Sequence, residues 1–110
     1  MFINEYELPE LTISAGELCN YQFNLTDSTG AALTATTWTF KAVDYLNRGN
    51  SVLSYSGNIA TDKGVVSALV PFAIADTKNL AGKYVYQLTV LNGTDPVINK
   101  KGVLYVLYSI

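Results

Sequence analysis

Cys19, Tyr21, Phe23 and Leu25 alternate with Asn20, Gln22, Asn24 and Thr26. A β-strand sends successive side chains to opposite faces, so this spacing predicts a strand with one buried and one wet face. Trp38, Phe40 and Ala42 alternate with Thr37, Thr39 and Lys41 in the same way, and Tyr84, Tyr86, Leu88 and Val90 oppose Val85, Gln87 and Thr89. These three segments are the expected central strands, because one-sided burial fixes register. Weaker strands are expected at LTIS (11–14), at SVLSYS (51–56) as a hairpin partner across NRGN, and at GVVSALVP (64–71), where Pro71 should stop the run. Turn signals separate them: DSTG at 27–30, NRGN at 47–50, SGN at 56–58, DKG at 62–64 and NGTDP at 92–96. That spacing belongs to an all-β sandwich or barrel. FAIADTKNLAG (72–82) is read as a corner between two sheets, with one helical turn capped by Asp76 and closed by Gly82.

The stretch GVLYVLYSI at 102–110 has no polar face. Val103, Tyr105 and Leu107 fall on one side, and Leu104, Val106, Tyr108 and Ile110 on the other. An apolar strand left at a sheet edge is a template for uncontrolled pairing, so something must cover it. Either the strand is central and the N-terminal arm, with Phe2, Ile3 and Leu8, covers its second face, or a neighbouring subunit packs there.

At 110 residues the chain is expected to be one domain, 1–110, with an acidic N-terminal arm of about ten residues. Charged residues make up 15% of it, against roughly 25% in an average soluble domain, which predicts a surface poor in charge. No apolar run approaches the ~20 residues of a membrane helix, and MFINEYELPE lacks the basic and apolar regions of a signal peptide. A net charge of -2, with seven basic residues spread along the chain, argues against nucleic acid as a partner. Glu5, Glu7, Glu10 and Glu17 place four carboxylates and no basic residue in the first 17 positions. That segment is either a solvated arm or one that docks on a basic neighbour.

The chain has no histidine, which removes the commonest general base and transition-metal ligand together. Its single cysteine, Cys19, forms no intrachain disulfide and reads as a small buried hydrophobe. Each aspartate sits in or beside a different turn, where its side chain bonds local backbone. No calcium loop or phosphate-binding glycine loop is present, so neither an enzymatic role nor a cofactor or metal is expected. Of the eight tyrosines, Tyr6, Tyr45 and Tyr55 are left over for an aromatic platform. A carbohydrate-binding or adhesin module using Tyr45 and Tyr55 on loops at one end is therefore the alternative to a protein-binding role.

Immunoglobulin-like sandwiches place a cysteine on strand B, a tryptophan on strand C, and a corner tyrosine two residues before a second cysteine on strand F. Cys19, Trp38 and Tyr84 match three of these positions, and Tyr86 stands where the second cysteine would be. The expected fold is thus an all-β, immunoglobulin-like antiparallel sandwich of about seven strands. Read together, LPELTISAGE, YQFNLTDSTGAALTATTWTFKAVD, GNIATDKGVVSALV, LAGKYVYQLTV and KKGVLYVLY resemble small bacteriophage virion proteins of this fold, in particular the N-terminal domain of phage upper-baseplate proteins and short prophage tail-region proteins. Baseplate proteins of this type continue into a stem, whereas this sequence stops, which leaves a capsid decoration or cement protein equally open. The resemblance implies a virion component, assembled in the host cytoplasm, that binds other virion proteins and copies of itself. The contact residues expected are Phe2, Ile3, Glu5 and Tyr6 of the arm, with Tyr105 and Leu107 on the outward face of the last strand.

Overall fold

The computed structural model describes residues 8–26 and 30–107. Eight strands follow in order: β1 (Leu11–Ser14), β2 (Cys19–Asn24), β3 (Thr37–Asp44), β4 (Ser51–Asn58), β5 (Ala60–Asp62), β6 (Val65–Phe72), β7 (Gly82–Asn92) and β8 (Asp95–Leu107). One helical turn, α1 (Ile74–Thr77), lies between β6 and β7. The strands form a five-stranded sheet in the order β1-β8-β7-β3-β4 and a three-stranded sheet in the order β2-β6-β5. This is an all-β, two-sheet sandwich, and its strand order follows the immunoglobulin pattern of B, E and D facing G, F and C. The eight described strands agree with the expected number of about seven, but one detail differs from the antiparallel expectation: β1 pairs with β8 in parallel, Leu11 opposite Leu104 through Ser14 opposite Leu107, while every other pairing is antiparallel.

The period-2 pattern places the core. Trp38, Phe40 and Ala42 of β3 stand beside Val90, Leu88 and Tyr86 of β7, and all six are buried. Phe23, Ala68, Val70 and Phe72 close the other side from the small sheet. Phe40 is the hub: its ring stacks on Tyr86 at 5.2 Å and meets Phe72 edge-on at 5.4 Å. Full burial of each such side chain contributes about 2–3 kcal/mol.

Three of the immunoglobulin-like positions behave differently from one another. Tyr84 makes the corner, its hydroxyl donating to the Ala81 carbonyl and accepting from the Ala81 amide, both at 3.1 Å. Trp38 is buried and donates from Nε1 to the Asn58 carbonyl at 3.2 Å. Cys19, expected as a buried hydrophobe, is only half-buried at the start of β2. The group that meets Tyr86 across the sandwich is instead Phe23, with ring centroids 5.8 Å apart. Two glycines make room for these large rings. Gly102 lies opposite Tyr86 and Gly57 opposite Trp38, and a Cβ at Gly57 would sit 3.0 Å from Trp38 Cζ2.

Two local expectations are corrected. Pro71 does not stop its strand: β6 runs on to Phe72, because β5 reaches only to Ser67 and at Pro71 just one neighbour, β2, flanks it. A missing donor is tolerated at such a locally open edge. Asp76 does not cap the helical turn, whose N-cap is Ala73 without a side-chain bond. Its carboxylate accepts instead from the Tyr55 hydroxyl at 2.8 Å. The corner is anchored by buried Thr77, whose Oγ1 accepts from the Gly16 amide at 3.1 Å and donates to the Ala73 carbonyl at 3.3 Å. Of the expected DSTG turn, Asp27, Ser28 and Thr29 lie outside the described residues.

Candidate interaction surface

The apolar ending of the chain is explained by where β8 sits. It is an inner strand, between β1 and β7, so Leu104 and Val106 enter the core. Val103 points to the other face of the sheet, yet it too is buried, at 9% exposure. Tyr105 is half-buried and Leu107 is 53% exposed, while Tyr108 and Ile110 lie outside the described residues. The expectation that this stretch is hidden on both sides thus holds for Gly102, Val103, Leu104 and Val106, in part for Tyr105, and not for Leu107.

Pairing assembles the outward face of the large sheet into rows. Lys41 of β3, Gln87 of β7 and Lys101 of β8 stand side by side. Val43, Val85 and Val103 form the next row, and Lys83 lies beside Tyr105 in the one after. Apolar positions facing outward are thus overlain by long amphipathic side chains, which lie over apolar surface while keeping their charge in water. Val85 is only 3% exposed for this reason. The β3–β4 turn supplies the rest of the cover: the Lys83 ammonium lies 4.0 Å from the centroid of the Tyr45 ring, and the Arg48 guanidinium 5.7 Å from it. A pocket of about 220 Å³ opens between Lys41, Val43, Arg48, Val85, Gln87 and Lys101.

Among the described residues, the five strands of the large sheet carry only two carboxylates, Asp44 and Asp95, with Glu10 just before β1. Asp44 ends β3 in the core-facing row opposite Tyr84, and its Oδ1 accepts from the Leu46 amide at 3.0 Å. Asp95 is opposite Asn92, five residues along β7 from Gln87 and hence ~17 Å away. The face presents Lys41, Lys83, Lys101 and Arg48 around a valine floor, on a chain whose net charge is negative.

Of the contact residues expected from sequence, Phe2, Ile3, Glu5 and Tyr6 lie outside the described residues. Tyr105 and Leu107 do belong to this face, at its β1 side. The lysines escaped sequence reading because they looked scattered. Alternation with Trp38, Phe40 and Ala42 marks Lys41 as outward, but only the strand order makes Lys41, Lys83 and Lys101 neighbours.

Tyr45 and Tyr55 do not share a platform. Tyr45 lies with Lys83 on the outward face, whereas Tyr55 is a half-buried residue of β4, not a loop residue, and packs edge-on against Phe72 at 5.8 Å. The Tyr55 hydroxyl accepts from the Ala73 amide at 3.3 Å and donates to Asp76. Burial, followed by the bond to Asp76, pushes its phenol up to about 12. Burial likewise pushes the Tyr86 phenol well above its ordinary value, and that hydroxyl donates to the Pro9 carbonyl. Tyr6 lies outside the described residues.

Two other concavities are present. One of about 340 Å³ lies between Leu8, Tyr21, Phe23, Leu25 and Ile98, and one of about 430 Å³ on the small sheet between Gln22, Asn24, Val65 and Leu69. Among the described residues no three His, Cys, Asp or Glu side chains converge on a metal position, and no helix is long and apolar enough to cross a membrane. Comparison with protein-family models, with curated proteins and with solved structures gave no match.

Proposed function

We propose that this chain is a non-enzymatic structural subunit of a bacteriophage particle, a baseplate or tail component or a capsid decoration protein, that works by binding other virion proteins and copies of itself. The observation that carries the protein-binding part of this reading is the outward face of the large sheet. It is broad, built on paired strands, basic around a valine floor, and bordered by an exposed Leu107. Its pocket, about 220 Å³, is smaller than the ~300–1,000 Å³ typical of small-molecule sites, and suits a side chain of a partner surface. Three side chains of reactive type are occupied in holding the fold: Asp76 by Tyr55, Asp44 by its own turn, Tyr86 by Pro9. The particle itself is supported by the resemblance of LAGKYVYQLTV, KKGVLYVLY and their companions to phage virion domains.

The test is quantitative mass spectrometry of gradient-purified phage particles released from cells that encode the chain. It should be present at a fixed copy number relative to the other particle proteins. Recovery only from the particle-free lysate refutes the reading.

A further inference from the structure

Asn92 and Gly93 close the hairpin between β7 and β8, and they are the one Asn-Gly pair in the chain. Asn92 lies opposite Asp95, Gly93 takes a φ of 65°, and residues 92 to 95 are all exposed. An asparagine followed by glycine carries its own nucleophile. The backbone nitrogen of the next residue closes a five-membered ring on the side-chain carbonyl carbon, and with both groups on adjacent residues no tertiary contact has to bring them together. Bulk on the next residue normally hinders that closure. Gly93 has none, and even a Cβ added there would meet nothing within 4 Å, so the ring has room to form.

What restrains the nitrogen is a side chain rather than the sheet. β3 begins at Thr37, opposite Leu91, so its backbone stops short of Gly93. The Gly93 amide donates instead to Thr36 Oγ1 at 3.0 Å, and that hydroxyl donates in turn to the Leu91 carbonyl at 3.1 Å. Thr36 is pinned in place by its own amide, which donates to the same carbonyl at 2.8 Å. To attack, the nitrogen must lose its proton and turn toward the asparagine side chain. The Thr36 hydroxyl holds both the proton and the direction.

We infer that Asn92 is a site of spontaneous covalent modification, deamidation through a succinimide, and that the Thr36 hydroxyl slows it. In the first step the bond between the Gly93 nitrogen and Asn92 Cγ forms and the Cγ–Nδ2 bond breaks. Nδ2 leaves as ammonia, carrying the proton that the Gly93 amide gives up. Water then adds to either carbonyl of the ring and breaks one of its two carbon–nitrogen bonds, which leaves aspartate or isoaspartate at position 92. Water is the only other reactant, and nothing is oxidised or reduced. Both products weaken the hairpin, because each places a carboxylate across the pair from Asp95, where like charges repel. Isoaspartate also adds a carbon to the main chain and so breaks the register of the pair.

Incubation of the full chain at mildly alkaline pH, followed by peptide mapping with mass spectrometry, tests it. Conversion should appear at Asn92 before any other asparagine, should quicken as pH rises, and should yield both aspartate and isoaspartate. Thr36→Val removes the hydroxyl at nearly constant volume and should speed conversion roughly fivefold, the factor to which one ordinary hydrogen bond amounts. Thr36→Ser keeps the hydroxyl and should stay within about twofold of the wild-type rate. Hydrogen exchange at β7 amides away from the turn should match wild type in both variants, which separates a lost bond from a loosened hairpin. Aspartate as the sole product, earlier conversion at another asparagine, or equal rates in wild type and Thr36→Val overturns the inference. So does an Asn92 that stays intact in the folded chain over the time in which the urea-unfolded chain converts fully. A faster rate in Thr36→Val that comes with faster exchange along the whole of β7 overturns the role given to the hydroxyl.

Discussion

Gly102 opens the terminal apolar strand directly opposite Tyr86, on the core side of the sheet. A Cβ added there would lie 2.6 Å from Tyr86 Cε1 and closer still to Cζ, well inside van der Waals contact. Tyr86 cannot swing away cheaply, because its ring is fully buried, stacked on Phe40, packed against Phe23, and fixed at its tip by the Pro9 carbonyl. Gly102→Ala should therefore incur an overpacking cost of about 1–3 kcal/mol, and displacing the Tyr86 hydroxyl from Pro9 about 1 kcal/mol more. The sum, about 2–4 kcal/mol, corresponds to a fall of about 10–20 °C in Tm for a domain of this size. Urea denaturation measures it, with an unchanged m-value expected because the same surface is exposed on unfolding. The same substitution in a Tyr86→Leu background supplies the control. There the ring is gone, the new methyl enters space already vacated, and Gly102→Ala should change stability by less than about 0.5 kcal/mol, leaving a coupling of about 2 kcal/mol between the positions. A cost below about 0.5 kcal/mol in the wild-type background, or equal costs in both, would refute the claim that this glycine exists to admit the tyrosine.

Tyr55→Phe removes the hydroxyl shared by Asp76 and the Ala73 amide and should cost about 1–2 kcal/mol. Since the folded phenol is pushed up to about 12 from an unfolded value near 10, its contribution is whole below pH ~10 and is lost as pH rises through about 12. The stability gap between wild type and Tyr55→Phe should accordingly shrink across that window, and a gap that stays constant contradicts the assignment. Thr77→Val leaves the Gly16 amide without its acceptor and should cost about 1–2 kcal/mol, with faster hydrogen exchange at that amide; unchanged exchange would sink it. Tyr84→Phe deletes both corner bonds to Ala81 and should lower stability by about 1–2 kcal/mol in chemical denaturation, and a neutral result would mean that the corner is held by packing alone.

Which face each side chain takes was legible in the sequence by itself. Side-chain direction in a strand is a local property with a period of two, so Trp38 and Phe40, and Tyr84 and Tyr86, are assigned to the core before any partner is known, whereas the two apolar sides of 102–110 leave Leu104 and Val106 undecided. The corner tyrosine was legible for the same reason, since its bonds to Ala81 reach only three residues back. What lies beside what was decided by the tertiary structure. Periodicity cannot say that β1 lies parallel to β8, that Phe23 rather than Cys19 meets Tyr86, or that Tyr55 turns inward to Asp76, because these contacts join residues 21 to 93 positions apart. The basic face is the clearest case: Lys41, Lys83 and Lys101 are far from one another in the chain and become one surface only when β3, β7 and β8 hydrogen-bond side by side. Local sterics fix a strand's two faces, but its neighbours follow from how the whole chain buries its apolar surface, and the candidate interaction site is made entirely of neighbours.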